Sequence, residues 1–105
     1  MTADLVRIDR FTVPSAVRAE FLARVHFIDA LLNVQPGCRA HRVFERRLDG
    51  SGTAIITIAE WEDPEAMAAA RDRVAAEYQR QGFDPRAFMD RLGITADIGA
   101  YAELM

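Results

Sequence analysis

The chain has 105 residues, half of them apolar and 28% charged, with a formal charge of −3. That length suits one hydrophobic core, and the composition excludes a disordered tail. No apolar run nears the roughly 18 residues of a membrane span, and scattered arginines on an acidic chain offer nucleic acid no surface.

One domain over residues 1–105 is therefore expected. The amino terminus, MTADLVRIDRFTV, lacks the unbroken apolar segment of a secretory signal, so a cytoplasmic protein with no membrane attachment is expected. Cys38 is the only cysteine, which leaves no intrachain disulfide or cysteine metal cluster, and no metal site is expected. All thirteen basic residues are arginine, a permanently charged, multi-donor group wherever one points inward.

Leu5 to Val13 alternates, with Leu5, Arg7, Asp9, Phe11 and Val13 on one face and Val6, Ile8 and Arg10 on the other, and predicts a first strand. Pro14 and Ser15 open a helix whose apolar stripe is Val17, Phe21, Val25, Ile28 and Leu32. Gln35, Pro36 and Gly37 end it. Arg39 to Leu48 returns to a period of two, with Ala40, Arg42, Phe44 and Arg46 opposite His41, Val43, Glu45 and Arg47. Asp49-Gly50-Ser51-Gly52 turns the chain, and Thr53 to Trp61 completes an antiparallel hairpin.

Asp63-Pro64-Glu65 combines an N-cap, a first-turn proline and an acid at the positive end of a helix. Met67, Ala70, Arg71, Val74 and Tyr78 mark the stripe of this second helix, which stops at Gln81 and Gly82. Asp84-Pro85 repeats the device for a short helical piece with Phe88, Met89 and Leu92, closed by Gly93. Thr95 to Leu104 alternates once more and predicts the last strand.

The order strand–helix–strand–strand–helix–strand is the ferredoxin-like α+β arrangement, a four-stranded antiparallel sheet with both main helices on one side. Ile8, Ile56, Ile58 and Ile98 are too apolar to face water on the other side, so a two-fold homodimer joined through that face is expected.

Several side chains are candidates for chemistry. Trp61 shares a strand face with Ile55, Thr57 and Ala59; its indole either packs as core against the second helix or forms a pocket wall for a flat ligand. Arg71, between Met67 and Val74 on an apolar stripe, needs a partner against the cost of burial: Asp9, Glu45, or a phenolate or carboxylate on a ligand. Tyr78 extends the stripe, as core or as a hydrogen-bond donor. His26 and His41 are the residues that titrate near neutrality and so can accept a proton from a ligand. His26 falls just off the apolar ridge, and His41 has Arg39, Arg42, Arg46 and Arg47 around it in sequence, which disfavours its protonated form.

The junction Ile58-Ala59-Glu60-Trp61-Glu62-Asp63-Pro64-Glu65-Ala66, together with Pro36-Gly37-Cys38, resembles the antibiotic biosynthesis monooxygenase family over nearly the whole chain. The resemblance implies a dimeric α+β barrel with a pocket between sheet and helices in each subunit. It also implies either oxygenation of a phenolic aromatic, such as a hydroquinone or anthrone, by O2 with no cofactor, or oxidative haem degradation. Members of the first kind carry an asparagine four residues before the tryptophan, where this chain has Thr57. Haem degraders combine a first-strand asparagine with a histidine ten residues after the tryptophan, where this chain has Arg71, which cannot ligate iron.

The expected site is thus Trp61, Arg71, His41 and His26 as catalytic candidates, with Thr57, Tyr78, Met67 and Val74 against a small aromatic ligand. The alternative is a dimeric small-molecule binding or accessory protein that keeps the fold without the chemistry.

Overall fold

The computed structural model describes residues 5–105. Its elements are β1 (Val6–Pro14), a single 3-10 turn (Ser15–Val17), α1 (Arg18–Asn33), β2 (Cys38–Arg47), β3 (Gly52–Trp61), α2 (Pro64–Gln81), α3 (Pro85–Leu92) and β4 (Thr95–Tyr101). The strands form one antiparallel sheet in the order β2-β3-β1-β4. This is the ferredoxin-like α+β topology.

The helix ends follow local chemistry. Asp63 accepts a hydrogen bond from the Ala66 amide at 2.7 Å, with Pro64 as the first residue of α2. Asp84 caps α3 through the Arg86 and Ala87 amides. Gly82 and Gly93, at φ 66° and 71°, close α2 and α3 in the left-handed conformation that glycine adopts without strain.

Two differences from expectation concern strand ends and faces. β4 stops at Tyr101 rather than Leu104, where Tyr101 pairs with Val6, the first residue of β1. Ile98 does not join Ile8, Ile56 and Ile58 on the outer face. It lies opposite Asp9 and so on the helix side, whereas Ile8 lies opposite Gly99 and Ile58. Alternation within β4 says which residues share a face, but only the register against β1 says which face that is.

A β-bulge at the start of β2 sets the phase of the pocket wall. Cys38 lies opposite Trp61 and Ala40 opposite Glu60, so Arg39 is the extra residue. Cys38 and His41, three positions apart, consequently both point to the helix side.

Just before the bulge, Gly37 adopts φ 81°, and its carbonyl accepts from the Glu62 amide at 2.8 Å. A Cβ added there would lie 2.5 Å from that of Ala66. The α1–β2 turn therefore sits on the first turn of α2, which is the physical link between Pro36-Gly37-Cys38 and the Trp61-to-Ala66 segment.

Between sheet and helices lie two apolar clusters. Val13, Phe21, Val25, Ile55, Leu92 and Ile94 form the larger, and Ile55 and Val13 have no exposed surface. Ala59, Trp61 and Ala70 form the smaller, joined by Leu32, Cys38, Ala66 and Met67.

Candidate active site

Between the two clusters a cavity of about 330 Å³ opens over the sheet, bounded by α1, α2 and α3. Small side chains on β3 create it. Thr57 and Ala59 form the floor where larger residues would fill the space, and Trp61 follows on the same face. Ala59 lies between Arg7 on β1 and His41 on β2. At strand spacings of about 4.8 Å, these two face one another over roughly 10 Å.

Trp61 is 5% exposed; it packs against Ala66, Met67 and Ala70 and still borders the cavity. The core and wall readings of this residue are thus compatible in one position. Met67, Val74 and Tyr78 line the cavity from α2, and Phe83, Phe88 and Met89 from the α2–α3 turn and α3.

His41 borders the cavity with its ring 3% exposed, and its Nδ1 lies 2.7 Å from Oδ1 of Asp29 on α1. With Nδ1–H donating to the carboxylate, Nε2 carries the free lone pair. The arginines near it in sequence do not define its surroundings. Arg42 lies across the sheet, bonded to Glu60 at 3.1 Å, and Arg46 shares that outer parity. Asp29 went unnoticed in the sequence, although it stands four residues after Val25 and three before Leu32, an acid on the apolar ridge.

His26 is exposed and is not part of the cavity wall. One residue past Val25 on α1, its side chain is rotated about 100° from the ridge. It is withdrawn from the candidates.

Arg71 lines the cavity but is exposed, so the burial cost expected for it does not arise; its long stem lets the guanidinium reach the rim. It pairs with neither expected carboxylate. Asp9 is bound by Arg7 at 3.0 Å and Glu45 by Arg18 at 2.6 and 2.8 Å. Asp9 faces the cavity; burial pushes its carboxyl above the ordinary range, opposed by the Arg7 guanidinium. Glu60 points to the opposite face, toward Arg42.

Arg24 is the largest omission of the sequence reading. From α1 its guanidinium carbon lies 3.5 Å from the Phe83 ring centroid, 4.6 Å from Phe27 and 5.0 Å from Tyr78. One terminal nitrogen donates to the Gln81 amide oxygen at 3.2 Å, while the buried Nε has no partner. Burial raises the Tyr78 phenol above its ordinary value, with Arg24 pulling the other way. The signal was an arginine three residues after Phe21 and four before Ile28, on the edge of the stripe.

Among the described residues no cluster of three or more His, Cys, Asp or Glu side chains is arranged to hold a metal ion. α2 presents Arg71 to the cavity and no histidine, so it supplies no axial ligand for haem. No helix among them is long and apolar enough to cross a membrane.

Comparison with known proteins gives three results. A family model described as antibiotic biosynthesis monooxygenase matches residues 5–80. No curated protein matches the chain. Among solved structures, SnoaB, a cofactor-independent oxygenase from Streptomyces nogalater, is 25% identical with TM-score 0.65, covering 98% of this chain and 96% of its own. The haem degrader MhuD from Mycobacterium tuberculosis, solved with two haems in its active site, is 18% identical with TM-score 0.67, covering 96% of each chain. A Pseudomonas aeruginosa protein is 15% identical with TM-score 0.58, covering 96% and 97%. The last two are likenesses of fold alone.

Proposed function

The chain belongs to the antibiotic biosynthesis monooxygenase family, and from that premise we propose that it is an oxygenase using O2 to oxidise an activated aromatic, a hydroquinone or anthrone, without metal or organic cofactor. The observation that carries this reading is the His41–Asp29 pair on the wall of an apolar cavity that also has Trp61 as a wall. A base held by a carboxylate, beside a flat apolar slot, is what such a reaction needs from a protein. SnoaB, described as a cofactor-independent oxygenase, supports the same chemistry.

His41 Nε2 takes the proton from the substrate, and Asp29 holds the ring and balances the charge that forms on it. The deprotonated substrate is electron-rich and reduces O2 itself. With an anthrone, one oxygen atom ends in the new ketone and the other leaves as water with the two hydrogens lost from carbon. Trp61, Met67 and Val74 keep the ring system and O2 together away from water. Arg71 at the rim stabilises negative charge on the phenolate.

The outer sheet face carries Val6, Ile8, Ile56 and Ile58, with Phe44 and Tyr101 each 48% exposed. Covering that face with a second copy completes the homodimer of this reading.

The test is oxygen uptake with dithranol or another anthrone. One O2 consumed per ketone formed, falling about 10²–10⁴-fold in His41→Ala, supports the oxygenase. Thr57 in place of the asparagine favours one second reading, a binding protein without turnover. Tight binding of the anthrone with no oxygen uptake above background selects it, and a haem-type absorption band after adding haemin would sink both.

A further inference from the structure

We infer that Arg24, packed over the Phe83 ring beside Tyr78 at the α3 side of the cavity, forms a subsite for a carboxylate carried by the aromatic ligand. This rests on the cavity being a small-molecule site and is independent of oxygen chemistry.

The charges around the cavity are unbalanced. Its charged lining is Arg7, Asp9, Arg24, His41 and Arg71. Arg7 and Asp9 neutralise one another, and His41 is paired with Asp29. Among the described residues, neither Arg24 nor Arg71 takes part in an ion pair. The wall therefore presents two uncompensated guanidinium groups, one at the rim and one enclosed by aromatic rings.

Arg24 is the more specific of the two. Aromatic faces attract a cation but accept none of its N–H bonds in good geometry. Its polar neighbours are neutral, the Gln81 amide oxygen and the Tyr78 phenol, and the Nε–H is buried without a partner. A guanidinium held only by neutral groups lacks a counter-charge, and a carboxylate meeting its terminal nitrogens from the cavity supplies one. Contact with the Phe27, Phe83 and Tyr78 rings limits the positions open to the guanidinium before a ligand arrives.

Placement along α1 separates this subsite from the proton-accepting end. Arg24 precedes Asp29, the partner of His41, by five residues, about 7.5 Å along the helix axis. A fused-ring acid lying in the slot sets its carboxylate on Arg24 while its reactive ring reaches His41.

The test is titration of the single tryptophan, Trp61, with anthraquinone-2-carboxylate and with the neutral anthraquinone-2-carboxamide. Wild-type protein is expected to bind the acid about 10–100-fold more tightly than the amide. Arg24→Gln is expected to abolish that preference by weakening the acid far more than the amide, and Arg24→Lys to retain part of it. Equal affinity for acid and amide in the wild type overturns the inference, as does an Arg24→Gln variant that loses both ligands equally, which marks a structural role. Failure of both ligands to bind overturns it together with the proposed function. A carboxylate preference without oxygen uptake leaves the subsite standing and removes the oxygenase, and anthrone turnover without that preference does the reverse.

Discussion

Replacing Gly37 with alanine tests the joint that holds the α1–β2 turn to the start of α2. Two costs are legible in the geometry. At φ 81° an L-residue pays about 1–2 kcal/mol for the left-handed conformation. The added methyl would lie 2.5 Å from the Ala66 Cβ, against about 3.5–4.0 Å for an unstrained carbon contact. Ala66 belongs to a capped helix turn and cannot simply rotate away, so relief by backbone shift costs about 1–3 kcal/mol more. The sum is about 2–5 kcal/mol, a large share of the about 5–15 kcal/mol that stabilises a typical domain. Urea unfolding followed by circular dichroism reads it directly, with a fall in melting temperature of at least about 8 °C. Ala66→Gly separates the two costs: combined with Gly37→Ala it should recover the contact part and leave the backbone part, a coupling of about 1–3 kcal/mol. A loss below about 0.5 kcal/mol in Gly37→Ala, or no recovery in the double variant, refutes the reasoning.

Three further outcomes follow from the geometry. Asp29→Asn should lower anthrone oxidation at least about tenfold with little change in melting temperature, because the amide no longer holds His41 with Nδ1–H as donor; unchanged rates at every pH would remove Asp29 from the mechanism. The Arg18 and Thr53 hydrogen bonds hold the Glu45 carboxyl at about 2, below its ordinary 4.5. A lowered folded value means stability present above 4.5 and lost as pH falls toward 2, so wild type should exceed Glu45→Gln in urea midpoint at neutral pH and converge with it in acid. A gap that persists at pH 2 contradicts this pairing. If the outer sheet face joins two copies as proposed, wild type sediments as a dimer and Ile58→Glu, placing a charge opposite Ile8 on that face, as a monomer; a monomeric wild type or an unaffected dimer refutes that interface.

The local grammar of this chain determined its elements. Alternation, the Asp63-Pro64 and Asp84-Pro85 starts and the Gly82 and Gly93 stops each act within a few residues, and the resulting order admits few topologies. Face assignments on β3 were equally legible, because Ile55, Thr57, Ala59 and Trp61 obey one period along one strand. The same information placed Met67, Val74 and Tyr78 on one side of α2.

Tertiary structure alone decided what those faces meet. Asp29 reaches His41 because α1 lies over β2 and a bulge at Arg39 sets the phase of the strand. Arg24 meets Phe83, 59 positions later, because the turn after α2 folds back over α1. Ile98 faces the cavity through its register with β1, and Arg71 lines the cavity while remaining exposed. Periodicity orders side chains relative to their own helix or strand. The partner of a charged group, and hence the chemistry it can do, is set by where a different element brings its own side chains, and that depends on contacts between residues far apart in the chain.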